Sequence, residues 1–309
     1  MSRHALIDFG SNTIRLCVYD VNTTSPKSVG KKDLSILLNY KVMAGISSYI
    51  EDGVLSEKGI KKAARTIREQ CQRAAYFTPE GVEVFATAVL RNCSNSAAAK
   101  DAIEEACGQS ITLLTTEEEA HLGLVGAQTD GAIEDAVVVD IGGGSTELTA
   151  MRNAAEQASA SLPQGSLSSF SAFVRGILPT EMEEEEIARS FRDRLAALPV
   201  GAFASQELVG IGGAIRSAAK VYGDCFCAGK RSNVLLLEHI EEILEAYHAD
   251  AGTFMSRALQ TIPDRIHTFI PGCILIKEVF SFTGARQLRI AKHGLREGYL
   301  IERILRKKA

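Results

Sequence analysis

One short pattern occurs twice in this chain. Leu6-Ile7-Asp8-Phe9-Gly10-Ser11-Asn12-Thr13 lies over Val138-Val139-Asp140-Ile141-Gly142-Gly143-Gly144-Ser145. Each copy ends an apolar strand in Asp, skips one residue, and then gives Gly followed by small or polar residues. A repeat of long period that occurs twice points to a duplicated domain, not to a solenoid. The 309 residues are enough for two domains with real cores. The expectation is two similar α/β domains whose Asp-x-Gly hairpins face one another across an interdomain cleft.

The flanking patterns extend the duplication. Strands are expected at 4–9, 14–21 and 34–44, a helix at 56–77 with Ser56 as N-cap, and a strand at 82–86. A helix at 95–107 ends at Gly108, followed by a strand at 111–114 and a helix at 117–128. The order restarts with strands at 136–140, 145–151 and 157–162 and helices near 166–174 and 182–198. A strand at 207–210 then leads through Gly212-Gly213 into a helix reaching 221. The tail reads as mostly helical, with a strand near 287–291 and a last helix at 295–306. The acidic run at 181–186 reads as a solvated helix start, because acids suit a helix N-terminus.

Charge and composition exclude several classes. Lys and Arg total 34 against 38 acids, a formal charge of −4, so the basic excess of a duplex nucleic-acid binder is missing. Trp is absent and aromatics make up 6%, which does not suggest a stacking platform. Asp8 interrupts the apolar N-terminus, against a signal peptide. No apolar run approaches the ~20 residues of a membrane span. The seven cysteines are scattered without a C-x-x-C pair, as in reduced thiols of a cytoplasmic protein.

The sharpest chemical segment is 140–148. Gly142, Gly143 and Gly144 let a backbone approach a phosphate closely, and Ser145 adds a hydroxyl donor. Asp140 and Glu147 are hard oxygen ligands suited to Mg²⁺. A plain glycine-turned hairpin is the bland alternative, weakened by the two flanking acids. The partner turn, Gly10-Ser11-Asn12, also reads as an ordinary hairpin turn and lacks the G-K-[ST] of a Walker A loop. Arg91, just past a strand, could fork onto phosphate oxygens or lie solvated at a helix start. Gly212-Gly213 opens a helix and suits either an anion or tight packing. Thr115-Thr116-Glu117-Glu118-Glu119 starts another helix, and both Thr115-x-x-Glu118 and Thr116-x-x-Glu119 fit a capping box. With Thr116 as the cap, Glu119 reaches back to it and Glu118 is left to face a cleft.

In order and spacing these segments resemble the Ppx/GppA family of exopolyphosphatases and guanosine pentaphosphate phosphohydrolases, within the actin, sugar-kinase and Hsp70 ATPase superfamily. The resemblance runs nearly the whole length. It covers the Asp8 hairpin, the segment from Ala86 through Arg91 to Asn95, Glu118-Glu119-Ala120, the Asp140–Glu147 hairpin, Gly212-Gly213, and Gly294-Leu295-Arg296-Glu297-Gly298. It implies two actin-like (RNase H-like) domains, 1–127 and 128–292, with the closing helix 293–309 packing back on the first. It also implies metal-assisted, in-line attack of water on the terminal phosphate of polyphosphate or guanosine pentaphosphate. Glu118 is then the general base, and Asp8, Asp140 and Glu147 hold Mg²⁺ or another divalent cation. Ser11, Asn12, Arg91, Gly142, Gly143, Gly144, Ser145, Gly212 and Gly213 bind phosphate. No duplex nucleic acid or membrane partner is implied, and a homodimer is left open.

Three departures bear on substrate. His121 stands where the family often has Arg, the stretch around Gln164 is uncharged, and so is the one around Gly45. Longer members carry a further C-terminal helical domain, which the chain is expected to lack. Together these imply weak or short-chain-preferring activity on polyphosphate. Two other classes share the fold: an ATP-dependent kinase, which would need an acceptor, and a non-catalytic sensor of guanosine alarmones, which would bind without turnover.

Overall fold

The computed structural model describes residues 2–23 and 29–308. The chain divides into two compact units, Met1–Gly131 with Leu295–Ala309, and Ala132–Gly294.

In the first unit, β1 (Ser2–Phe9) and β2 (Thr13–Val21) form the hairpin, and β3 (Leu34–Met43) continues the meander. A minimal hairpin of β4 (Ile50–Glu51) and β5 (Val54–Leu55) precedes α1 (Glu57–Ala75), whose N-cap Ser56 accepts the Gly59 amide. β6 (Val82–Ala86) pairs parallel with β1. The one-turn α2 (Ala88–Arg91) and α3 (Ser96–Cys107) cross over to β7 (Ile111–Leu113), and α4 (Thr116–Gln128) follows. The sheet order is β3-β2-β1-β6-β7.

Strand alternation decides what each face of this sheet meets. Ala5, Ile7 and Phe9 join the core with Ala63, Ile67 and Ile103 of α1 and α3. Leu6, Tyr19 and Phe85 face the other way, toward Leu122 and Val125 of α4 and the C-terminal residues Tyr299–Leu305. The Phe85 and Tyr299 rings stack 4.6 Å apart. Asp8 shares the parity of Leu6, which directs it to the face covered by the C-terminal helix.

The second unit repeats the plan. β8 (Ala136–Ile141), β9 (Thr146–Arg152) and β10 (Ala155–Leu162) are antiparallel. α5 (Ser166–Phe173), α6 (Glu181–Ala196) and the short α7 (Val200–Phe203) cross over to β11 (Glu207–Ile211), parallel to β8. α8 (Gly213–Phe226) then starts. β12 (Val234–Leu236), α9 (Leu237–Ala249), α10 (Ala251–Thr261), α11 (Ile266–Thr283) and β13 (Gln287–Ile290) complete the unit. The order β10-β9-β8-β11-β13 matches the first sheet strand for strand, and β12 is added at the edge. The mixed α/β, duplicated architecture expected from the repeat is present.

The tail is less purely helical than its pattern suggests. β12 is only three residues long, too short to show alternation, and is set by antiparallel pairing with β13. The stretch Pro263–Thr283 also corrects the expectation that nothing reaches membrane-span length. It is long and apolar enough by composition, and 72% of its most apolar window is buried. It serves as a core helix of this unit, with Phe269, Ile270, Leu275, Ile276, Val279 and Phe280 in the hydrophobic core.

The chain then re-enters the first unit as α12 (Leu295–Tyr299), which runs into a π-helical turn, Leu300–Leu305. Gly298 permits this docking: a Cβ there would collide with the Leu122 carbonyl of α4.

Candidate active site

The two copies of the hairpin have diverged at one position. Asp8 sits opposite Arg15 across β1 and β2, whereas Asp140 sits opposite Glu147 across β8 and β9. Directly opposed residues share a face of the sheet, with Cβ atoms about 5 Å apart. The first hairpin therefore opposes an acid to a base, and the second opposes two acids. Two carboxylates at that spacing repel unless one is protonated or a cation lies between them.

The second hairpin turns through Gly142, whose amide donates to the Ser145 carbonyl at 3.0 Å. Ser166 donates its amide to the Gly142 carbonyl, and Leu167 and Ser168 donate theirs to the Gly143 carbonyl, at 2.9–3.0 Å. The first turn of α5 thus holds the carbonyl side of the glycine turn. In a trans peptide the amide points opposite to the carbonyl, so Gly143 and Gly144 aim their N–H groups away from α5. Such a row of amides suits an anion. Glu147 is buried and accepts the Ser161 hydroxyl at 2.9 Å. Asp140 lies against Gly212, where an added Cβ would meet Asp140 Oδ1 at 2.5 Å. Gly212 has φ +95°, a conformation that L side chains rarely adopt. Gly213 then opens α8, with the Arg265 guanidinium occupying the space a side chain there would need. Gln164, in the uncharged stretch, is a buried hub. Its amide donates to Ser169 and to the Ile187 carbonyl, and its oxygen accepts from Ser190 and Arg194.

In the first unit the turn carbonyls are committed as well. Gly45 donates to the Asn12 carbonyl at 2.9 Å and Ser47 to the Ser11 carbonyl at 3.1 Å. The neutral Gly45 stretch therefore braces the turn. Asp8, expected with the metal ligands, is ion-paired: Arg296 Nη1 donates to its Oδ2 at 2.9 Å. Burial lowers the Arg296 pKa, but Glu297, Cys17 and Asp8 outweigh it and hold the guanidinium well above its ordinary value. Tyr19 donates to Glu297 Oε1 at 2.6 Å, and burial with Glu297 pushes the phenol well above its usual range. A cation would have to displace Arg296 to use Asp8. Among the described residues no group of three His, Cys, Asp or Glu side chains is arranged to hold a metal ion. Asp140 and Glu147 still fit Mg²⁺, which commonly takes one or two carboxylates and completes its shell with water and substrate phosphate.

Around α4 the structure decides between the two candidate caps. Thr115 is the N-cap, extended at φ −70° and ψ 169°, and its hydroxyl accepts the Glu118 amide at 3.2 Å. Glu118 reaches back and takes the Thr115 amide on Oε2 at 2.9 Å. Glu119 is drawn elsewhere: its Oε2 accepts from Arg91 Nη1 at 2.9 Å, and the same nitrogen donates to the Leu114 carbonyl. Glu117 is exposed, its carboxyl lowered first by its own backbone amide and then by Thr115. Glu118 is half-buried, and its other oxygen, Oε1, meets Arg303 of the π-turn. Arg296 lies within a matched segment that carried no assigned role, and Arg303 lies outside every motif, because each meets its acid only through the docking of the C-terminal helix. Ser161 was missed because it joins Glu147 across β10 and β9.

The arrangement thus holds an acid pair beside a glycine turn in one unit and a braced carboxylate with paired arginines in the other. The fold is that of known structures. A Ppx/GppA family member from Aquifex aeolicus aligns over 100% of this chain and 99% of its own, at 22% identity and a TM-score of 0.79. An exopolyphosphatase from Cytophaga hutchinsonii aligns over 99% of this chain and 98% of its own, at 20% identity and a TM-score of 0.84. An exopolyphosphatase-like protein aligns at 18% identity, over 99% of this chain and 100% of its own, with a TM-score of 0.78. The family model of the Ppx/GppA phosphatases matches residues 28–307, and the chain belongs to that family.

Proposed function

We propose that this chain hydrolyses the terminal phosphoanhydride bond of inorganic polyphosphate or guanosine pentaphosphate. The observation that carries the reading is the opposition of Asp140 and Glu147 beside the Gly142–Gly144 turn. An acid pair that favours a cation, next to amides that favour an anion, suits a metal-bound phosphate chain.

In this reading the amides of Gly143 and Gly144 and the Ser145 hydroxyl hold the phosphate oxygens, and Gly212 and Gly213 add backbone contact. Ser11, Asn12 and Arg91 contribute further donors, with Arg91 oriented by Glu119. Mg²⁺ held by Asp140 and Glu147 would offset the negative charge on those oxygens. Glu118 accepts a proton from water as the water oxygen bonds to the terminal phosphorus. The anhydride bond breaks, and its bridging oxygen leaves with the shortened chain as orthophosphate forms. Little covalent chemistry is asked of the protein, so positioning and charge carry the catalysis.

The test is a comparative assay of phosphate release from short and long polyphosphate, guanosine pentaphosphate and ATP, with and without Mg²⁺. Adding a phosphoryl acceptor separates hydrolysis from kinase chemistry. Loss of a general base costs about 10²–10⁴-fold in rate, so Glu118→Gln should lose turnover on that scale while the fold persists. No phosphate release from any of these substrates, with alarmone binding retained, would point to a sensor instead.

A further inference from the structure

We infer that Arg303, on the π-turn at the C-terminal end, is a positioning residue for the Glu118 carboxylate. The inference rests on the reading of Glu118 as the base. Thr115 alone pins only Oε2, at 2.9 Å, and the carboxylate could still pivot about that bond. Arg303 Nη2 engages Oε1 and removes the pivot. A carboxylate offers about four lone-pair sites, so two fixed donors still leave acceptor directions for a water. Those directions are then defined before substrate arrives, as they are wherever a base is oriented by a third group.

Arg303 is put there by the helix that carries it. Gly298 lets that helix approach the Leu122 carbonyl. Tyr299 donates to the Thr112 hydroxyl at 3.2 Å, just before α4. Glu302 lies 3.6 Å from His121, one turn beyond Glu118, and is itself tied to Arg306. Glu302 and Arg303 are consecutive yet both reach α4, and both lie in the π-turn Leu300–Leu305. A single π-turn within a helix is often found at functional sites. Here it brings two successive side chains to one neighbouring helix, although Arg303 and Glu118 are 185 residues apart in sequence.

The test uses the full chain with polyphosphate as substrate and compares Arg303→Met, Arg303→Lys, Glu118→Gln and the Glu118→Gln/Arg303→Met double variant. A small displacement of a reacting group can cost about 10²-fold, so Arg303→Met should lower kcat by roughly 10- to 100-fold with KM nearly unchanged. Arg303→Lys should recover part of the loss, and the double variant should be no slower than Glu118→Gln alone. If Arg303→Met lowers the unfolding midpoint, the Lys variant, which keeps charge and stem, decides by its kcat against its KM. Wild-type kcat in Arg303→Met, with Glu118→Gln inactive, overturns the positioning role and leaves the base reading standing. A raised KM at unchanged kcat also overturns it, by making Arg303 a substrate contact. Wild-type turnover in Glu118→Gln overturns the base reading and this inference with it.

Discussion

Arg296 Nη1 lies 2.9 Å from Asp8 Oδ2, across 288 residues of sequence. The contact ties the Asp8 hairpin to the C-terminal helix. The two hairpins differ in register partner as well, Asp8 standing opposite Arg15 and Asp140 opposite Glu147. The Arg296 Nε–H is buried without a partner, so this guanidinium depends heavily on the acids around it.

Asp8→Asn should therefore act first on stability. Breaking a buried pair by removing one partner costs about 3–5 kcal/mol. Asp8 keeps 18% of its side chain exposed, which places the expectation near the lower end. Chemical denaturation monitored by circular dichroism reads it. An unchanged midpoint would mean that Glu297 alone neutralises Arg296.

Gly298→Ala should reverse the usual sign. Within a helix Ala is favoured over Gly by about 1 kcal/mol. Here the new methyl meets the Leu122 carbonyl, and overpacking typically costs about 1–3 kcal/mol. Thermal unfolding should show net destabilisation, and turnover should fall as the helix shifts. A stabilised variant would show that the close approach is dispensable.

Gly212→Ala combines a left-handed φ with a collision against Asp140 Oδ1. Strained backbone of this kind costs about 1–3 kcal/mol. Because Asp140 must move, the Mg²⁺ concentration for half-maximal turnover should rise as well. Lost stability with unchanged Mg²⁺ dependence would separate Asp140 from the metal.

Ser161→Ala removes the hydroxyl that orients Glu147 at 2.9 Å. Loss of a partner behind a metal ligand typically costs about 10–100-fold in metal affinity. The Mg²⁺ dependence of phosphate release, titrated for variant and wild type, measures it. An identical curve would argue against Glu147 as a ligand.

What the sequence determined by itself is whatever backbone periodicity imposes locally. The Asp-x-Gly repeat announced two sheets of one plan because a hairpin needs only its own strands and turn. Helix and strand spacing marked most of the elements for the same reason. The tertiary structure decided the partners of the side chains. Thr115 and Thr116 were equivalent caps until Arg91 drew Glu119 aside and left Glu118 to close the box. Asp8 looked like Asp140 until a helix from the far end of the chain brought Arg296 to it. That choice belongs to packing: one glycine, Gly298, admits the closing helix to α4, and the charges it carries then meet acids that no local pattern connects to them.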